Sequence, residues 1–211
     1  MRILYIDTTS SYLYTGVIED DKLLVEVKED CNKDLSKFAL DRISKMLDSI
    51  SLRPKDIDKI IVVNGPGSFT GIRIGVTIAK TLAYSLNIPI TTISSLEAMA
   101  LSSKANTKYI VPIIDARRGY IYGSIYDNQN NNILKDQYLK LESLIAACDN
   151  LIDTYVFIGN YDGLETEEYN PDILRIVNTF KTRENINPHI VNPIYLKQTE
   201  AEENKKVEII W

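Results

Sequence analysis

Apolar and polar positions alternate over Arg2–Asp7, over Tyr12–Glu19 and over Lys22–Lys28, predicting three strands; an acidic turn, Asp20-Asp21, joins the last two. Helical spacing takes over at Leu35. Leu35, Ala39, Ile43, Met46, Leu47 and Ile50, with Phe38 beside them, form one stripe that Asn32 or Asp34 can cap. Pro54 and Asp56 break the pattern before a continuous apolar run, Ile60–Asn64, which reads as a buried strand. The turn Gly65-Pro66-Gly67-Ser68 follows, then a helix from about Phe69 to Leu86. Pro89 leads into a strand, Ile90–Ile93, and Ser94 or Ser95 opens a short helix with Glu97 at capping-box distance. Residues 101–108 are small and polar, and mark a boundary between two lobes, 1–104 and 105–211.

The order of elements then repeats. Tyr109–Asp115 is an apolar strand ending in an acid, like Ile3–Asp7, and Tyr120-Ile-Tyr-Gly123 stands where Tyr12-Leu-Tyr-Thr-Gly16 stood. Ile133–Leu139 gives a further strand, Leu141–Asn150 a helix, and Thr154–Ile158 a fourth strand before Gly159 opens a turn. Asp162–Asp172 is acidic and reads as a solvated loop; the apolar end, Val207–Trp211, is expected to pack back on the body. The fold class expected is α/β, with two tandem lobes facing each other across a cleft, each a mixed sheet with helices.

Two features carry candidate chemistry. A glycine turn between strand and helix presents backbone N–H groups at the positive end of a helix, which suits a phosphate. That places Gly65, Gly67 and Ser68 beside the strand-end residues Asp7, Thr8 and Thr9, with Asp115 and Gly159 opposite. Asp7 and its threonines either hold a nucleotide-bound metal through water or form a vestigial strand end whose hydroxyls satisfy the backbone. Asp115 with Arg117 and Arg118 also fits a local ion pair at a turn. The second feature is a ridge of small residues, Gly71, Gly75, Ala79 and Ala83, four apart on one helix face. Each interior glycine costs about 1 kcal/mol against alanine, so the ridge implies a close neighbour: the chain's own sheet, or a partner's helix. On the second reading the interface comprises Leu35, Phe38, Ile43 and Met46 on the first helix, with Gly71, Gly75, Ala79, Leu82 and Ala83 on the next.

Composition narrows the classes. Of 211 residues, 45% are hydrophobic and 25% charged, as in an ordinary globular protein. The net charge of −5 supplies no basic face, so contact with nucleic acid is expected only through a partner. One histidine, His189, rules out HExxH and histidine-based triads within the chain. Two cysteines, Cys31 and Cys148, cannot form a zinc site by themselves. No metal and no catalytic residue is assigned. The strand beginning at Arg2 leaves no room for a signal peptide, and a cytoplasmic location is expected.

The facing aspartates and duplicated lobes resemble the superfamily of actin-like ATPases and sugar kinases, with their RNase H-like lobes. Within it, Ile6–Val17 (IDTTSSYLYTGV), Gly65–Gly75 (GPGSFTGIRIG), Ile114–Tyr122 (IDARRGYIY) and Pro193–Lys197 (PIYLK) resemble, in order, the bacterial TsaB family, also called YeaZ. The resemblance implies a role in making N6-threonylcarbamoyladenosine at position 37 of tRNAs that read ANN codons. It implies a non-catalytic scaffold or activator, paired with its catalytic paralogue TsaD and joined by the ATPase TsaE. TsaC supplies threonylcarbamoyl-adenylate, and contact with tRNA is indirect. The resemblance implies no required cofactor and at most weak binding of ATP or ADP, and a chain that can pair with itself when alone. The catalytic relative holds a metal with a histidine pair in its first-lobe helix; Leu35-Ser36 stands here where the first would fall. The alternative function is an ATP-dependent small-molecule kinase of the same superfamily.

Overall fold

The structure, a computed structural model, describes residues 1–31 and 34–197. The proposed cap Asn32 and the apolar end Val207–Trp211 lie outside the described residues. Strands β1 (Arg2–Asp7), β2 (Tyr12–Glu19), β3 (Lys22–Asp30), β4 (Lys59–Val63) and β5 (Ile90–Ile93) form one sheet in the order β3-β2-β1-β4-β5. β1, β2 and β3 are antiparallel neighbours, whereas β4 and β5 run parallel to β1. β6 (Tyr109–Asp115), β7 (Tyr120–Asp127), β8 (Asn132–Lys140) and β9 (Tyr155–Asn160) form a second sheet, ordered β8-β7-β6-β9. β9 again runs parallel to the first strand of its half. The repeat in the sequence is thus a repeat in topology.

The central strands read as apolar runs because helices cover both faces. Leu4, Ile6, Ile60 and Val62 point towards α1 (Leu35–Ser49) and α2 (Phe69–Leu86), whose inner stripes are Ile43, Met46 and Leu47, and Ile72, Val76 and Ala79. Ile3, Tyr5, Ile61 and Val63 point the other way, onto α3 (Ser95–Ser102) and α5 (Ile173–Phe180). α3 is shared: Ala98 and Leu101 pack on the first sheet, Leu96, Met99 and Ala100 on the second. The remaining helix, α4 (Leu141–Asp149), covers the outer face of the second sheet with Leu144 and Cys148. Cys31 and Cys148 are both buried free thiols, and burial pushes the Cys148 thiol up to about 11.

After residue 172 the chain returns to the first sheet. Ile173, Ile176, Val177 and Phe180 complete its second face. The buried Lys59 donates to the Lys181 carbonyl at 2.9 Å, and Ile186 bridges the edge strand at Ile90. No helix among the described residues is long and apolar enough to cross a membrane.

Candidate functional site

β1 ends at Asp7 because the next residues leave the sheet to seal the start of α2. The Thr8 hydroxyl donates to the Gly71 carbonyl at 2.7 Å, and Ser68 N–H donates to the Thr9 carbonyl at 2.7 Å. Ser68 caps α2, its hydroxyl accepting from Gly71 N–H. This docking explains the ridge. A Cβ at position 71 would overlap the Thr8 carbonyl, and one at 75 the Thr8 hydroxyl. The close neighbour is therefore the chain's own β1 end.

The interface expected at the ridge is corrected accordingly. Gly71, Gly75, Ala79 and Ala83 are buried inside the first lobe, as are Leu35, Ile43 and Met46, and a partner cannot reach them. Leu82 is half-buried against the same core. Phe38 alone of that set is exposed, at 40%, with the Arg42 guanidinium 5.5 Å over its ring. The surface between α1 and α2 consists of other residues. Leu40 is 56% exposed and Phe69 51%, and with Ser36, Arg73, Ile74, Thr77 and Ile78 they line a groove of about 430 Å³. One position off the inner stripe of each helix would have found it: Thr70, Ile74 and Ile78 run parallel to the glycine ridge.

Between the lobes lies a cleft of about 940 Å³. It brings together Thr9, Gly67, Ser68, Asp115 and Gly159 of the expected set, with Lys28 and Arg117 as its cations. Asp115 accepts the Arg117 backbone N–H at 2.7 Å. Three expected cleft residues do not line it. Thr8 faces α2, and Gly65, at φ +115°, lies against the Ile194 carbonyl, where a Cβ would stand 2.6 Å away. Asp7 is sealed below the floor at 1% exposure. Its Oδ1 accepts both Thr9 N–H (2.8 Å) and the Thr9 hydroxyl (2.7 Å), and the Tyr5 hydroxyl donates to Oδ2 at 3.5 Å. The loop after β9 brings the buried Tyr169 hydroxyl near the same carboxyl, where it makes no hydrogen bond to the described residues. Burial pushes the Asp7 carboxyl up, and the Thr9 hydrogen bonds oppose the rise. Tyr169 was missed because the acidic stretch around it reads as solvated loop.

Gly159 does not open a turn as expected: it lies within β9, paired with Ile113, and its missing Cβ leaves room for the Ile113 carbonyl. Beyond the strand the chain loops round, and Glu167 pairs with Ile158 in a parallel bridge. No group of three or more histidine, cysteine or acidic side chains suited to a metal occurs among the described residues.

Two mixed sheets of one topology, a helix wedged between them and a cleft at the strand ends define the two-lobed actin-like class. Residues 27–159 match the family model described as TsaD: tRNA N6-adenosine threonylcarbamoyltransferase. The tRNA threonylcarbamoyladenosine biosynthesis protein TsaB of Bacillus subtilis is 33% identical over 96% of this chain and 96% of its own. The protein of that name from Escherichia coli is 32% identical over 75% of this chain and 71% of its own. Among solved structures, YeaZ from Pseudomonas aeruginosa superposes with a TM-score of 0.75 at 20% identity, covering 92% of this chain and 99% of that one. An uncharacterized protein with similarity to peptidase YEAZ, from the same organism, reaches a TM-score of 0.81 at 20% identity over 93% of this chain and 99% of its own. The chain belongs to the TsaB family of tRNA threonylcarbamoyladenosine biosynthesis proteins.

Proposed function

We propose that the chain is a non-catalytic scaffold or activator subunit of the complex that installs N6-threonylcarbamoyladenosine at position 37 of ANN-decoding tRNAs. It pairs with TsaD, and TsaE joins the pair. The observation that carries this reading is Asp7. A carboxyl that accepts twice from Thr9, has the Tyr5 hydroxyl at 3.5 Å and is only 1% exposed is engaged by its own strand end instead of being presented to a metal or a reacting group in the cleft. Pairing is supported by the α1–α2 groove, where Leu40 and Phe69 are exposed among the described residues, beside the half-buried Ile74 and Ile78. A paralogue of the same fold is a natural occupant, since it would add two helices to two. The role requires no cofactor, and ATP or ADP enters the cleft only weakly. A second copy of the chain competes for the groove when TsaD is absent.

The test is reconstitution. With tRNA, threonylcarbamoyl-adenylate, TsaD and TsaE present, modification is expected to depend on this chain, while the chain alone modifies nothing. Full activity in its absence overturns the reading. The alternative, an ATP-dependent small-molecule kinase, draws on the cleft's volume and the exposed Asp115. Micromolar Mg–ATP affinity with turnover, read by titration calorimetry and product assay, decides for it.

A further inference from the structure

Phe69, the first residue of α2, lines both the α1–α2 groove and the inter-lobe cleft. Its half-exposed ring is held from two sides. The Arg73 guanidinium lies 4.4 Å from the ring centroid, and the Tyr195 ring stacks on it at 5.0 Å with an interplanar angle of 29°. Tyr195 is itself fixed. Ile194 N–H donates to the Asn64 carbonyl at 2.8 Å, Asn64 Nδ2 donates to the Asn192 carbonyl at 3.1 Å, and Gly65 makes the room that lets the strap lie against the turn. Beyond it, Lys197 Nζ stands 5.7 Å over the Tyr138 ring of the second sheet. Tyr195 does not line the groove, yet it touches the residue that forms one end of it.

We propose that Tyr195 is a positioning residue for the docking surface: its stacked ring holds Phe69, and through Phe69 the Arg73 guanidinium, in the arrangement a partner meets. This rests on the reading of the α1–α2 groove as the TsaD-docking face. Without the stack, the exposed Phe69 ring turns among rotamers, and binding has to order it. Ordering one such side chain is expected to weaken association about 3- to 10-fold. The loss arises with no contact between Tyr195 and the partner.

Calorimetric titration of TsaD into the full chain tests this. Tyr195→Ala is expected to weaken binding 3- to 10-fold with an unchanged melting temperature, and Tyr195→Phe to bind as wild type, because stacking needs no hydroxyl. The Phe69→Ala/Tyr195→Ala double variant is expected to bind no worse than Phe69→Ala alone, the signature of one residue acting through the other. Wild-type affinity for Tyr195→Ala, or losses that add fully in the double variant, overturns the positioning role. Leu40→Glu separates the two levels. If Leu40→Glu loses TsaD while Tyr195→Ala does not, the docking face stands and the positioning role falls; if Leu40→Glu binds normally, both fall.

Discussion

Thr8 and Gly71 set how closely the first strand and its helix approach. The Thr8 hydroxyl reaches the Gly71 carbonyl at 2.7 Å only because position 71 has no Cβ. Gly71→Ala is expected to cost about 1–3 kcal/mol, measured by chemical denaturation, as the helix start backs away from β1. One residue earlier, Asp7 makes stability depend on pH. Its folded pKa is raised by burial. The associated stability is therefore complete below the unfolded carboxylate value and is lost as pH rises through the folded one. Asp7→Asn keeps an oxygen for both Thr9 donors and removes the buried charge. Between pH 4, near the unfolded carboxylate value, and pH 8, the denaturation midpoint is expected to fall less in this variant than in wild type.

At the scale of elements, most of the architecture was legible because the inner strands and α1 and α2 keep clean periodicity. The helix expected from about Phe69 to Leu86 spans those residues in the structure, since Ser68 and the glycine turn punctuate its start. The spacing of the small ridge was equally visible, but spacing alone does not say which surface a ridge meets, and the neighbour proved to be Thr8. The approach of Tyr169 to Asp7 was illegible because it joins residues far apart in sequence. α5 was passed over for a related reason. Its eight residues follow an acidic stretch, and Ile173, Ile176, Val177 and Phe180 complete fewer than three turns of pattern. The two surfaces of α2 make opposite predictions. Ala79→Arg forces a charge into the core and is expected to abolish folding, seen as loss of the cooperative thermal transition. Thr77→Glu, at an exposed position lining the groove, is expected to leave that transition in place and to reduce co-purification with TsaD at least tenfold.

Over the whole molecule, the lobes are joined by more than a hinge. α3 lends one face to each sheet. At its start the Ser94 hydroxyl donates to Asp136 of the second lobe, and Asp136 also accepts from Tyr126 at 3.1 Å. At its end the Ser103 hydroxyl and Lys104 N–H both donate to Glu167. Glu167→Ala is expected to cost about 1–2 kcal/mol and to speed amide hydrogen exchange around Ser103 and Tyr169 while leaving α1 protected. The return of α5 to the first sheet has a consequence for biosynthesis. Ile3, Tyr5 and Val63 leave the ribosome early, but the helix that shields them on one side comes from residues translated after both sheets. During translation α3 alone covers that oily surface, and part of it stays open to non-native contacts until α5 is made.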